Sequence, residues 1–186
     1  MKPSMGFLLV LAFALLVRCT KEGPVHVSLI PNGDFESWTS NTLNGWTTNS
    51  CPMCVPMIET YIVQKDSPGY HGGYAARFID NNQYAAYAQN KFALKAHPSA
   101  LVGYFKCKMN GADTVSVKIW LYKNGFAVDS GSWINMVTIP DYSRLKLSIS
   151  QSSLLIDTVI IRITGGHNQG NLQTNTVFWA DYIDLE

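Results

Sequence analysis

The sequence has few charged side chains. Asp, Glu, Lys and Arg make up 15 % of its 186 residues, and the formal net charge is only +1. An average soluble domain carries about 25 % charged residues. Proteins that bind nucleic acid neutralise phosphates with a clear excess of Lys and Arg, so this composition argues against nucleic acid as a partner. Apolar residues reach 47 % and aromatic residues 12 %, which is enough to fill a core and excludes disorder for most of the chain.

The sequence also lacks the common motifs of catalysis. It contains no Gly-x-Ser-x-Gly elbow, no His-Glu-x-x-His pair and no phosphate-binding loop. Its four histidines stand far apart, at positions 26, 71, 97 and 167. Glycosidases need two facing carboxylates, and the candidate acids stand mostly at predicted turns. We therefore expect no enzyme activity, and a polysaccharide-active enzyme is the least favoured alternative.

No apolar run is long enough to span a bilayer as a helix. The longest, Met5–Val17, has 13 residues, whereas a spanning helix needs about 20. A short apolar run after Lys2 is instead typical of a signal peptide. The end of this run together with the next two residues, Leu16–Cys19, resembles a bacterial lipoprotein box. The cysteine of such a box becomes the lipid-modified first residue of the mature protein. Arg18 departs from that box, because a small residue normally precedes the cysteine.

We therefore expect residues 1–18 to form a lipoprotein-type signal peptide, residues 19–25 a polar tether, and Cys19 to carry the lipid. The alternatives are an ordinary secretory signal cut nearby and a retained membrane helix. Each of them takes the rest of the chain out of the cytoplasm, and lipidation would hold it at the outer membrane or cell surface. Loss of the first 18 residues leaves 12 basic against 13 acidic side chains, so the exported domain is close to neutral.

Cysteine is scarce, and two of the four cysteines form a short Cys-x-x-Cys motif, Cys51 and Cys54. A redox motif of this type opens a helix after a strand, but here the motif stands among Asn, Ser and Pro. A zinc site needs four ligands, and no second pair exists. A local disulfide between Cys51 and Cys54 is therefore the leading interpretation. Cys107 alternates with apolar neighbours and is predicted to be a buried free thiol.

The sequence has no sustained helical period, and period-two alternation is common instead. The clearest case is Val115–Tyr122, which the hairpin signal Asn124-Gly125 follows. Such short strands without a long helix predict an antiparallel β-sandwich in one domain, residues 26–186. Further strands are predicted at Met57–Gln64, Tyr74–Ile79, Tyr84–Leu94, Leu101–Met109, Ala127–Ile139, Lys146–Ile149, Asp157–Thr164 and Thr176–Leu185.

Three stretches carry a recognisable pattern. They are LIPNGDFESW at 29–38 with NGW at 44–46, HGGYAARF at 71–78 with QNKF at 89–92, and FWADYIDL at 178–185. Together they resemble carbohydrate-binding modules of the galactose-binding-like jelly-roll superfamily, in the form found in exported Bacteroidetes lipoproteins. The resemblance implies an all-β, antiparallel two-sheet jelly-roll β-sandwich that binds a glycan or polysaccharide without catalysis. The alternative is a structural or protein-interaction lipoprotein of the same fold without sugar affinity.

Two acids in these stretches lie close to apolar strands, Glu36 and Asp181. A carboxylate in such a place is costly unless it is paired or bound to a metal. Period-two alternation puts Asp181 on one face with Trp179, Ile183 and Leu185. The first and last strands of this fold commonly lie near each other, and family members often hold a structural calcium there, which suits oxygen ligands. The resemblance thus predicts calcium at Glu36 and Asp181; the alternative is that both accept backbone amides or cap loops.

Alternation also predicts a ligand face. When the odd positions of Val115–Tyr122 fill the core, Trp120 and Tyr122 point outward. Flat aromatic rings can stack on the C–H face of a sugar, and planar polar side chains can bond its hydroxyls. The predicted ligand-binding set consists of Trp120, Tyr122, Tyr87, Gln89, Arg77 and Arg162. The alternative is ordinary packing for Trp120 and solvated charges for the arginines. The loop aromatics form a second candidate site, Tyr61, Tyr70 and Tyr74.

Overall fold

The computed structural model describes residues 28–50, 62–79, 85–150, 155–166 and 175–186. All regular secondary structure in these ranges is β. These residues contain no helix long and apolar enough to cross a membrane. The predicted signal peptide, the tether, Cys19, Cys51, Cys54 and Tyr61 lie outside the described residues. The strands are β1 (Trp38–Thr39), β2 (Thr42–Leu43), β3 (Thr47–Thr48), β4 (Val63–Asp66), β5 (Ala75–Ile79), β6 (Ala86–Ala96), β7 (Ala100–Lys108), β8 (Val115–Lys123), β9 (Phe126–Asn135), β10 (Ile139–Ser148), β11 (Ile156–Gly165) and β12 (Val177–Leu185).

Two antiparallel sheets of five strands each form the domain. Sheet one has the order β3-β6-β11-β8-β9, and sheet two has the order β10-β7-β12-β5-β4. The short strands β1 and β2 pair only with each other. This architecture is the two-sheet jelly-roll β-sandwich that the sequence predicts.

The core lies between the two sheets and consists of the inward positions of their strands. In β8, the odd positions Val115, Val117, Ile119 and Leu121 are completely buried, as the alternation predicts. β7 contributes Phe105 from the opposite sheet. Burial of such side chains stabilises the fold by about 25 cal/mol for each Å² of apolar surface removed from water. The outward residues of β8 are therefore fixed on the opposite side, away from the core.

Cys107 on β7 is a free cysteine buried in that core, as the sequence predicts. Burial raises the pKa of its thiol above the ordinary value. The thiol sulfur Sγ also accepts a hydrogen bond from Asn135 Nδ2 at 3.3 Å. These features make Cys107 a packing residue, because the thiolate is the reactive form of cysteine.

The predicted hairpin after β8 is also present. Asn124 and Gly125 have φ values of 51° and 79°, the left-handed conformation that both central residues of a type I′ turn need. Asparagine and glycine tolerate this conformation best. The turn closes on the pair Lys123 and Phe126 and leads directly into β9.

One predicted strand, Ala127–Ile139, is wrong. The chain instead forms β9 up to Asn135 and turns before β10 begins at Ile139. The linking residues, Met136, Val137 and Thr138, are apolar or β-branched and so resemble a strand. Asn135, the last residue of β9, is the turn signal here, but the residues after it continue the strand pattern across the boundary between the two sheets.

A β-bulge near the chain's end overturns a second expectation. The pairing of β12 with β7 shifts register between Asp181 and Asp184, and Tyr182 has a φ of 47°. The extra residue turns the strand, so Ile183 and Leu185 enter the core. Trp179 and Asp181 stay on the outer side of sheet two, opposite Lys106 and Tyr104 of β7. The four residues therefore do not share one face.

Candidate functional site

The outer face of sheet one, called face one below, gathers five of the six predicted ligand residues. Tyr87 and Gln89 lie on β6, Arg162 on β11, and Trp120 and Tyr122 on β8. Arg162 pairs with Gln89 on one side, and its other neighbour on the sheet belongs to β8. All five are half-buried, which means that each ring or polar end keeps a surface open to solvent.

Trp120 lines a shallow depression on face one. The depression has a volume of about 250 Å³ and is completed by one cation and three small residues of β9, Lys118, Ser130, Gly131 and Ser132. Trp120 pairs directly with Ser130 across the sheet. The half-buried indole keeps an open surface toward β9, because the residues of β9 beside it are too small to cover it.

Tyr122 lines a second depression of about 240 Å³, together with Lys91, Gly125, Thr158 and Ile160. Because strand residues rise about 3.3 Å each, the side chains of Trp120 and Tyr122 emerge roughly 6.6 Å apart. The Trp120 depression lies between β8 and β9, whereas the Tyr122 depression extends from β8 across β11 to β6, so the two lie on opposite sides of β8 and a ligand that crosses β8 meets both. This arrangement can contact two neighbouring units of an elongated ligand.

Tyr87 and Arg162 form a third element of face one. The guanidinium carbon Cζ of Arg162 lies 4.0 Å from the centroid of the Tyr87 ring, a cation–π contact. Tyr87 is further held because its backbone N–H donates to Asn49 Oδ1 at 2.8 Å. The cation–π contact with Tyr87 holds the Arg162 guanidinium on the same face as Trp120.

Arg77, the sixth predicted residue, does not belong to face one. It lies on β5 of sheet two, paired with Trp179 of β12 and Gln64 of β4. Its Nε atom is buried and has no hydrogen-bond partner among the described residues. Alternation separates inward from outward positions but does not say which sheet a strand joins, so placing Arg77 with the other five was wrong.

The outer face of sheet two, called face two below, carries many aromatic side chains that contact each other. The rings of Tyr70 and Tyr104 stack with centroids 3.7 Å apart. Lys106 Nζ lies 4.5 Å from the ring centroid of Tyr142 and 4.9 Å from that of Trp179. The Trp179 indole N–H donates to a carboxylate on β4. Each of these rings thus contacts another ring, a lysine or a carboxylate, although Tyr70 remains 48 % exposed.

The loop formed by residues 67–74 is held over face two by the two predicted calcium ligands. Asp181 Oδ2 accepts the backbone N–H groups of Tyr70 at 2.6 Å and His71 at 2.9 Å. Glu36 Oε1 accepts those of Gly73 at 2.8 Å and Tyr74 at 2.9 Å. The structure thus brings the first and last strand regions to one loop, as the resemblance implies.

These hydrogen bonds bear on whether calcium fits. Calcium takes about six to eight oxygen ligands, and no group of three His, Cys, Asp or Glu side chains suited to a metal exists in the described part of the chain. Asp181 Oδ1 also accepts the N–H of Tyr182 at 2.7 Å, so amide hydrogens point at both of its oxygens. The geometry favours the alternative role, acceptance of backbone amides. Calcium at Glu36 and Asp181 stays a prediction.

The buried carboxyl group of Asp181 has an unusual pKa. Its pKa is raised from 3.8 to about 6: burial is the largest cause, the charge of Glu36 adds to the rise, and the three amide hydrogen bonds oppose it. Ionisation is therefore unfavourable at this position compared with water. Any cation that bound here would also have to compete with those amides.

Sequence reasoning missed three site features. Lys118 stands two residues before Trp120 and had the same outward alternation, which is the signal that could have found it. Lys91 stands two residues after Gln89 on β6 and shares its outward alternation. Asp184 was also missed: its Oδ1 accepts the N–H of Leu29 at 2.8 Å and so ties the start of the domain to β12. The sequence could have indicated Asp184 only if the alternation in β12 had been shifted by one residue at the bulge between Asp181 and Asp184.

Comparison with solved structures places this geometry in a known fold. The carbohydrate-binding module TmCBM61, solved in complex with β-1,4-galactotriose, aligns with a TM-score of 0.55 and 12 % identity over 87 % of this chain and 99 % of that chain. The Stig cyclase Fisc from Fischerella sp. TAU aligns with a TM-score of 0.51 and 17 % identity over 85 % and 95 %.

The enzymatically active domain of tailspike protein 4 from bacteriophage CBA120 aligns with a TM-score of 0.52 and 12 % identity, over 86 % of this chain but only 22 % of that chain. No protein-family model and no curated protein matches the chain. At such identities, the likeness concerns the fold, and both binding modules and enzymes share it.

Proposed function

We propose that this chain is a non-catalytic, envelope-anchored module that binds a glycan or polysaccharide on face one. One observation carries the proposal: Trp120 and Tyr122 leave the same side of β8, and each lines its own depression. The similar module TmCBM61 is solved with a galactose trisaccharide, which supports a sugar chain as the ligand of this fold.

The chemistry of face one suits such a ligand. An aromatic contact contributes about 0.5–1.5 kcal/mol beyond the burial of area, and two rings roughly 6.6 Å apart can support neighbouring sugar units. Ser130, Ser132 and Thr158 line the same depressions and can bond sugar hydroxyls. Because the depressions are shallow and few groups contribute, we expect modest affinity that a single truncation strongly reduces.

A glycan array probed with the full chain tests the proposal. Trp120→Ala should lower binding to the best glycan by at least about tenfold, whereas Trp120→Phe, which keeps a flat ring, should lose less. Both variants should keep the melting temperature close to that of the parent. The control Tyr74→Ala removes an exposed ring of the second candidate site, which Lys65 covers at 4.5 Å. A loss in Tyr74→Ala but not in Trp120→Ala would move the site to that loop.

The envelope anchor rests on the sequence of residues 1–19. We expect Cys19→Ala to block lipid attachment and to release the protein from membranes. Mass spectrometry of the mature chain and its distribution between membrane and soluble fractions check this. An unchanged mass and unchanged partition in the variant would contradict the anchor.

The alternative function, contact with another protein, also has an observation in its favour. Ile134, Met136 and Val137 are 59 %, 59 % and 66 % exposed; Ile134 lies at the end of β9, the edge strand of sheet one, and the other two lie in the linker that follows it. Exposed apolar residues on an edge strand are typical of association surfaces. On this alternative, the array shows no binding, Trp120→Ala has no phenotype, and Ile134→Lys reduces the partner contact.

A further inference from the structure

We propose that the ligand of face one is an anionic glycan, whose sugar units carry carboxylate or sulfate groups. This inference rests on the proposed function. Each depression pairs one aromatic ring with one lysine: Trp120 with Lys118, and Tyr122 with Lys91. No acidic residue lines either depression. A ring that supports a sugar therefore has a cation beside it for a negative substituent of that sugar.

The positive charges of face one lie mainly on β6, β8 and β11. β6 and β8 contain lysines but no aspartate or glutamate. The acid of β11, Asp157, accepts the backbone N–H of Asn124 at 2.5 Å, at the hairpin end of the sheet. On β9, the carboxylate of Asp129 accepts the backbone N–H of Ser130 at 2.7 Å and the hydroxyl of Ser150 at 3.0 Å. Besides these two acids, the described part of the face presents the cations Lys91, Lys118 and Arg162. The domain as a whole is close to neutral, so this positive charge is local to the proposed site.

Two of these cations stand directly opposite each other. Lys118 of β8 pairs with Arg162 of β11, and facing residues on adjacent strands have Cβ atoms about 4.5–5.5 Å apart. Like charges in this position are destabilising. Arg162 leans over Tyr87, but neither it nor Lys118 forms an ion pair with any described residue, in contrast to Arg144 and Lys146, which pair with Glu186. An anion bound between them would relieve that repulsion.

The ligand is a glycan and not a general polyanion because of the rings. Nucleic-acid sites neutralise many phosphates, whereas face one offers three cations. The lysines lie beside aromatic rings and small hydroxyl residues, Ser130 and Ser132. Charge-assisted hydrogen bonds from lysine to carboxylate or sulfate would add to stacking and hydroxyl contacts.

Matched polymers test the inference by titration calorimetry with the full chain. One pair is polygalacturonate and its methyl-esterified form; the other is dextran sulfate and dextran. We expect the charged member of at least one pair to bind about tenfold or more tightly than its neutral partner, with an advantage that shrinks as salt screens the charges. Which pair shows the advantage distinguishes carboxylate from sulfate.

Single variants locate the effect. Lys118→Gln should lower affinity for the charged polymer about fivefold and so reduce its advantage over the neutral partner by the same factor. Lys108→Gln, which removes an exposed lysine on β7 of sheet two, is the matched control and should change neither. Lys118→Glu should abolish the preference for charge.

The outcomes separate the inference from the proposed function. Equal affinity for charged and neutral members, with binding that still depends on Trp120, overturns the anionic ligand and keeps the glycan module. No binding of any polymer, or binding that Trp120→Ala does not change, overturns the glycan module itself. Binding of single-stranded DNA as tightly as the charged glycan also overturns the inference, because charge alone would then explain it.

Discussion

The two outer faces of the sandwich carry similar residue types, but their aromatic rings have different contacts. Face two has Tyr70 stacked on Tyr104 and a lysine between Tyr142 and Trp179. On face one, Trp120 lies beside small residues and lines an open depression. Aromatic residues and cations therefore do not identify a binding surface by themselves. What distinguishes the two faces is that Trp120 and Tyr122 each line a depression on face one, whereas the rings of face two contact one another or a lysine.

The 67–74 loop is the physical cause of this difference. Its backbone amides bind Asp181 and Glu36, and it places the ring of Tyr70 onto face two. Among the described residues, no comparable loop lies over face one. The acids that the resemblance marks for calcium thus hold a loop against face two, and the proposed ligand site lies on the other face.

The largest expected effect comes from removing the loop's central acceptor. Asp181→Ala removes a buried carboxylate that accepts three part-buried amide N–H groups, and a donor left without its partner costs about 1–3 kcal/mol where it is buried. We expect the free energy of unfolding to fall by about 2–4 kcal/mol, measured by urea denaturation. The control, Asp141→Ala, removes an exposed acid of β10 and should change stability little. Equal losses in both variants would contradict the role of Asp181.

A pair of tryptophans sharpens the comparison of the faces. Trp179→Ala removes a hydrogen bond to Asp66 and a contact with Lys106, so we expect it to destabilise the domain by about 2 kcal/mol without weakening glycan binding. Trp120→Ala should cost less than about 1 kcal/mol and weaken binding. Thermal unfolding and the glycan assay check both. A reversed pattern would exchange the roles of the two faces.

The sequence was sufficient for the fold and for one strand in detail, because both depend on local patterns. Alternation in β8 and the Asn124-Gly125 turn follow from period two and from backbone conformation alone. The rest depends on non-local geometry. Arg77 joins sheet two through pairing with β12, and the bulge at Tyr182 shifts the register of the last strand. Neither leaves a signal in residue order.

Two adjacent glycines test how tightly the loop is fitted. Gly72 has a φ of 80°, and a Cβ there would lie 2.3 Å from Glu36 Oε1. At Gly73, the nearest atom would be 3.4 Å away. Gly72→Ala should therefore destabilise the domain by about 1–2 kcal/mol, and Gly73→Ala by clearly less. Equal melting temperatures would show that the loop adjusts and that Glu36 does not fix it.

The titration of Asp181 gives a smaller effect with a definite sign. Because burial raises its pKa in the folded state from 3.8 to about 6, the folded protein binds the proton more tightly than the unfolded chain does. Its contribution to stability is complete below about pH 4 and is lost as the pH rises through 6. We expect the unfolding free energy of the parent to fall over this window relative to Asp181→Asn. The same pH dependence in both proteins would assign it to other groups.

Calcium should have the smallest effect of all, if the amide hydrogen bonds describe the roles of Glu36 and Asp181 correctly. A site-bound ion stabilises the folded state by about 2.7 kcal/mol at 100 times its dissociation constant, so a chelator would lower the melting temperature of a calcium-bound protein. The amides already bound to both carboxylates predict no change with chelator or with added calcium. A rise with calcium that is absent in Glu36→Gln, which keeps an oxygen acceptor but loses the charge, would instead establish the predicted ion. Face two would then be closed by a metal as well as by hydrogen bonds, and its contrast with face one would become stronger.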